Sequence, residues 1–127
     1  MKKTAYLCSM KQKNVLVQKI VEGIQERKGK KITVVDLTKL DAPARYFVLC
    51  EGTSNTQILA VTESVKVYVR EQTGESPFAT DGLNNALWIA MDYGDVMVHI
   101  FERETRQFYN LEHLWADAKL TAIPDME

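Results

Sequence analysis

The sequence predicts a single α/β domain, one mixed β-sheet covered by α-helices. Stretches whose apolar residues recur every three or four positions alternate with short β-branched runs, and nothing in the 127 residues repeats or thins into a linker. The composition, 46% hydrophobic and 26% charged with three prolines, suits a packed core and excludes a disordered or collagen-like chain. A chain of this length buries roughly two thirds of its unfolded surface, enough for a core without metal or disulfide staples.

In the first predicted helix, about residues 13–28, Val17, Ile20, Val21 and Ile24 fall at i, i+3, i+4 and i+7, with Gly29 at its end. Ile32 to Leu37 is β-branched between polar flanks and reads as a buried strand. Pro43 breaks the chain, because proline has no N–H and turns Ala42 away from helix. Tyr46 to Cys50 is the second strand. Beyond Gly52-Thr-Ser54 the period changes: Ser54 with Gln57 makes a capping-box pattern. Ile58, Val61, Thr62, Val65 and Val69 then stripe a helix over about 55–72, ended by Gly74.

Pro77, Asp81 and Gly82 punctuate a loop with a short strand at 76–80. The runs Ala86 to Met91 and Val96 to Phe101 flank Asp92-Tyr-Gly-Asp95, which predicts a hairpin. Residues 102–109 and 110–115 read as short helical turns, with Asn110 as the N-cap of the second. The domain proper is expected over 13–118. Residues 1–12 are expected to be a basic tail and 119–127 a C-terminal tail, loose from Thr121 onward.

No stretch approaches the roughly 18 apolar residues of a membrane span, and the N-terminus lacks a signal-peptide core, so the expected location is the cytoplasm, away from membrane. Cys8 and Cys50 have no metal or redox spacing and are expected to be reduced thiols. The net charge of −1 conceals an asymmetry. Residues 1–31 carry nine Lys and Arg against Glu22 and Glu26, a balance of +7, which leaves −8 for residues 32–127. The acidic body would repel bare nucleic acid and attract a basic protein, while the first segment could touch phosphate.

Three groups could carry chemistry. Gly52-Thr-Ser-Asn55 lies between a strand and a helix start, where backbone N–H groups can bind an anion, but it lacks the lysine and glycine spacing of a phosphate loop, and a capping turn explains it. Asp92 and Asp95, with His99 further along, could hold magnesium only if they converge within about 2 Å of one ion. The same residues serve equally as a turn or as a partner-facing acidic turn. Neither His99 nor His113 has a nucleophile or second ligand at useful spacing, and both are expected to be structural or surface residues. Last, Trp88 and Tyr93 bracket the hairpin, and Phe101, Phe108, Tyr109 and Trp115 crowd the C-terminal third. Trp88 with Tyr93 beside two aspartates would make an interface anchor rimmed by negative charge, unless Trp88 is simply core.

Several runs in order resemble one family. They are Tyr46-Phe-Val-Leu-Cys50 leading into Gly52-Thr-Ser54, Asp81-Gly-Leu83, Trp88, Asp92-Tyr-Gly-Asp-Val96, His99-Ile-Phe101, and Arg106-Gln-Phe-Tyr-Asn-Leu-Glu-His-Leu-Trp115 with Asp117-Ala118. The ensemble is similar to the ribosomal silencing factors, also called the Iojap or RsfS family, over about residues 13–118. The resemblance implies a non-enzymatic factor without cofactor or metal that binds ribosomal protein uL14 (L14) of the large subunit. It would block joining of the small subunit and lower translation when nutrients are scarce. It also implies a nucleotidyltransferase-like fold without the catalytic carboxylates, and a capacity to form a homodimer. Trp88 and Tyr93 match positions that contact uL14, with Asp92, Gly94 and Asp95 as the turn beside them. The basic segment 1–31 is a candidate for contact with ribosomal RNA. Pro43-Ala-Arg45 departs from the family's Ser/Thr-Asp and alters one edge of that surface. The rival reading is a nucleotide-binding or nucleotidyltransferase-like enzyme using Gly52 to Ser54 and Asp92 with Asp95; a direct RNA-binding module ranks below it.

Overall fold

A computed structural model describes residues 15–42, 44–110 and 118–125. The first helix, α1 (Val15–Glu26), buries the predicted stripe completely: Val17, Ile20, Val21 and Ile24 have no exposed surface. Each such side chain contributes about 1.5–3 kcal/mol, so burial rather than helix propensity holds α1 in place. Its end is a Schellman turn, in which the N–H of Gly29 donates to Ile24 O and that of Lys28 to Gln25 O. The left-handed residue is Lys28, at φ 56°, and not the expected glycine.

Strand β1 (Lys30–Asp36) runs antiparallel to β2 (Tyr46–Gly52). Lys31 and Ile32 together oppose Cys50, a bulge with Lys31 at φ 54°. Helix α2 (Asn55–Thr73) buries Ile58, Val61, Thr62, Val65 and Val69, the stripe read from the sequence, and ends at left-handed Gly74. Then come β3 (Ala79–Asp81), β4 (Trp88–Asp92), β5 (Val96–Glu102), α3 (Arg103–Tyr109) and β6 (Lys119–Ala122). The sheet order is β3-β4-β5-β2-β1-β6, with the β2–β5 pair parallel and the other pairs among the described residues antiparallel. The predicted mixed α/β architecture is the one observed.

Alternation along the strands sends Val34, Val48, Cys50, Ile89, Met91, Val98 and Ile100 into one core with α1 and α2. The other face holds Val35, Leu37, Phe47, Leu49 and Phe101, with Trp88 and Met97 packed against them. Arg106 of α3 reaches across to β1, donating to Lys31 O at 2.7 Å and to Thr33 Oγ1 at 3.1 Å.

Two expectations are corrected. Asn110 is not an N-cap: at φ 47° and ψ 56° it is the left-handed C-cap of α3, its N–H donating to Arg106 O. The helical turn expected over 110–115 and the basic tail 1–12 otherwise lie outside the described residues, as do Cys8, His113 and Trp115. The tail expected over 119–127 contains a strand, because β6 pairs with β1 from Asp36↔Lys119 to Thr33↔Ala122. Ile123 then enters the core, and the Asp125 carboxylate accepts the N–H of Lys31 at the bulge.

Candidate functional site

Trp88 opens β4 opposite Phe101 and is half-buried. Its indole stacks on Phe101 at 5.2 Å between centroids and meets Tyr109 at 4.5 Å, while Nε1–H donates to Nδ1 of His99 at 3.0 Å. Around it lies an open cleft of about 790 Å³, lined by Leu87, Phe108, Tyr109, Asn85, Glu102 and Glu104 among others. Phe108 is 81% exposed, Tyr109 46% and Leu87 41%. Exposed aromatics grouped in this way are unusual on a solvated surface and characteristic of interfaces.

The cleft depends on local geometry at both ends. Gly82 stands at φ 92°, and a Cβ there would sit 2.0 Å from the carbonyl oxygen of Trp88, so only glycine lets the Asp81-Gly-Leu83 loop close against β4. On the far side, the Glu102 carboxylate caps α3 by accepting the N–H groups of Glu104 and Thr105. Those bonds, the one from Glu104 foremost, hold its pKa below the ordinary value and keep it charged on the rim.

The acidic turn lies elsewhere. The Asp92 carboxylate accepts the N–H of Gly94 at 2.7 Å, and the N–H of Tyr93 donates to Val96 O, closing a two-residue loop of Gly94 and Asp95. Gly94 takes φ 88° at the first loop position, as a type II′ hairpin requires. Alanine there is expected to cost about 1 kcal/mol from the left-handed backbone, which a urea midpoint would read. The Asp95 carbonyl accepts the N–H groups of Arg45 and Tyr46, tying the turn to the start of β2.

The expected pairing of Trp88 with Tyr93 in one anchor is corrected by this arrangement. Four residue steps along the strand separate Trp88 from Asp92, about 13 Å. Tyr93 also points to the opposite face, into the core with α1 and α2, and is only 4% exposed. Burial pushes its phenol up to about 12, and its hydroxyl has no hydrogen-bond partner among the described residues. Gly94 and Asp95 are exposed and Asp92 half-buried. Beside Gly94 stands Phe78, 81% exposed, which no periodicity in the sequence signals.

The remaining candidates find local partners. Ser54 Oγ accepts the N–H of Gln57, and Gln57 Oε1 accepts both the N–H of Thr53, at 2.6 Å, and its hydroxyl. The Gln57 amide also donates to Arg27 O and Lys28 O at the end of α1. The turn is thus filled by its own side chains. Among the described residues no group of three or more His, Cys, Asp or Glu could hold a metal ion. His99 is structural in the sense expected, 5% exposed and pushed down to about 4 by burial. Cys50 is a buried free thiol, its pKa raised to about 12 by burial. Among the described residues no helix is long and apolar enough to cross a membrane.

Residues 10–127 match the family model described as ribosomal silencing factor during starvation, RsfS. The chain is 33% identical over 103 residues to the ribosomal silencing factor RsfS of Halalkalibacterium halodurans, covering 81% of this chain and 87% of that one. It is 32% identical over 114 residues to the RsfS of Bacillus subtilis, covering 90% and 95%. A crystal structure of a Chromobacterium violaceum protein superposes with a TM-score of 0.76 at 29% identity, covering 80% of this chain and 84% of the other. On its motifs, its sheet and these matches, the chain belongs to the ribosomal silencing factor (RsfS) family.

Proposed function

We propose that this chain represses translation under nutrient limitation by docking on ribosomal protein uL14 (L14) of the large subunit and occupying space that the small subunit needs to join. The family supports a ribosomal partner. The observation that carries the docking surface is the cleft around Trp88, where exposed Leu87, Phe108 and Tyr109 flank the indole beneath a rim of Glu102 and Glu104. Apolar anchors supply the affinity, and the acidic rim suits a basic ribosomal protein. The balance of −8 over residues 32–127 acts in the same sense.

The acidic turn of Asp92, Tyr93, Gly94 and Asp95 is the second contact, further along the same hairpin. Tyr93 serves it from inside, its buried ring holding the turn to the core. The mechanism is steric: the chain acts in the cytoplasm as a binding factor and not as an enzyme, with neither cofactor nor metal. The basic segment 1–31 would add contact with ribosomal RNA. A homodimer formed through the same exposed aromatics would compete with the ribosome for them.

Titration with purified uL14 tests the docking step; saturable binding is expected, and none at micromolar protein would refute it. Reversing both aspartates, Asp92→Lys with Asp95→Lys, is expected to slow association about tenfold at low salt and to flatten its salt dependence. An association rate equal to that of the wild type at low salt would remove the turn from the interface.

A further inference from the structure

Trp88 and His99 are diagonal neighbours on one face of the β4–β5 pair, since Trp88 lies opposite Phe101 and Ala90 opposite His99. The Trp88 indole N–H donates to His99 Nδ1 at 3.0 Å, and the imidazole stands edge-on to Phe47 with centroids 4.9 Å apart. Because Nδ1 is the acceptor, the imidazole proton sits on Nε2, and Nε2 is buried with no hydrogen-bond partner among the described residues. An apolar ring would pack between β2 and β4 without that orphaned N–H. The histidine therefore weakens the core at this point, and among the described residues its one polar contact is with Trp88.

We propose that His99 is a positioning residue for the docking cleft: its Nδ1 holds the half-exposed Trp88 indole in the single orientation that the partner meets. This rests on the reading of the cleft as the uL14 surface. An indole whose N–H has no partner turns toward water. Fixing it beforehand removes an ordering cost from binding, and one such side chain accounts for up to about tenfold in affinity.

Two variants separate the hydrogen bond from ring packing. His99→Phe keeps a ring and loses the acceptor; His99→Asn loses the ring and keeps an acceptor near the place of Nδ1. The readouts are solvent exchange of the Trp88 indole N–H by NMR, assigned by its loss in Trp88→Phe, and the Kd for uL14. In His99→Phe, exchange is expected to be faster and Kd about tenfold higher. The amide variant is expected to keep slow exchange and a Kd near that of the wild type. The reverse ranking, or no change in either readout in folded His99→Phe, overturns the proposal. If the wild type does not bind uL14 at all, the cleft reading fails by itself. Exchange then still decides the role of His99: fast in His99→Phe and slow in the amide variant supports it, and equal rates refute it.

Discussion

Replacing Trp88 by alanine is expected to weaken binding to uL14 by about 2 kcal/mol or more, roughly 30-fold in Kd. Among the described residues the indole is the only large aromatic of the cleft that is both packed on the sheet and half-exposed, so its loss removes the centre of the surface. The same substitution takes a ring from Phe101 and leaves His99 Nδ1 without its donor, so stability is also expected to fall, by about 2–3 kcal/mol. A domain with the usual 5–15 kcal/mol remains folded after that loss. Phe108→Ala separates the two effects, since a side chain 81% exposed adds little to the fold. It is expected to weaken binding by about 1 kcal/mol with an unchanged urea midpoint. Calorimetric titration and urea unfolding of both variants check this. Trp88→Ala binding uL14 as the wild type does would remove the anchor.

Acidification is expected to remove about 3 kcal/mol of stability through His99 alone. Burial depresses its pKa in the fold to about 4 from the ordinary 6.5, because the imidazolium is poorly solvated there. As pH falls below 6.5 the unfolded chain takes up the proton and the folded chain does not. The contribution of the neutral ring is therefore complete above about pH 6.5 and is lost as pH falls to about 4, where both states are protonated. At 1.36 kcal/mol per pH unit this gives the stated magnitude.

Two carboxylates act in the same direction at lower pH. Burial alone would raise the pKa of Glu22, but hydrogen bonds from Tyr68, Gln18 and Lys19 outweigh it and keep it low. Glu102 is held low by the N–H groups it caps. Comparing the wild type with His99→Asn isolates the histidine, since the carboxylates are common to both. Urea unfolding at pH 7 and pH 4.5 is expected to show the wild type losing about 2–3 kcal/mol more than the variant. Equal losses would place His99 in a more solvated site than the structure does.

The helices and central strands were legible because each carries its own periodic signal. The stripes of α1 and α2 and the turn Asp92-Tyr-Gly-Asp95 are local facts, and packing only confirms them. Strand β6 was not legible. Lys-Leu-Thr-Ala has a single large apolar residue, and what makes it a strand is the free edge of β1, more than 80 residues earlier in the chain. Asn110 misled for a related reason: asparagine suits both ends of a helix, and only the backbone at φ 47° decides between them.

The site divides in the same way. Trp88 stood out as an interface aromatic by residue type alone, and the acidic turn by composition. Their relation depended on geometry. Residues five apart along an extended strand face opposite sides, so Trp88 and Tyr93 cannot share a surface. The Trp88–His99 bond needs the β4–β5 register, in which the two residues are diagonal neighbours. Among the described residues the acids around Trp88 are Glu102 and Glu104, brought there by the turn from β5 into α3.

Subunit joining tests the central claim most directly. Purified small and large subunits are mixed with increasing amounts of this chain and resolved on sucrose gradients, alongside the Trp88→Ala variant verified as folded by circular dichroism. Steric silencing through the Trp88 cleft predicts that the wild type depletes joined ribosomes and co-sediments with the large subunit, while the folded variant does neither. Joined ribosomes persisting at saturating wild-type protein would contradict the account.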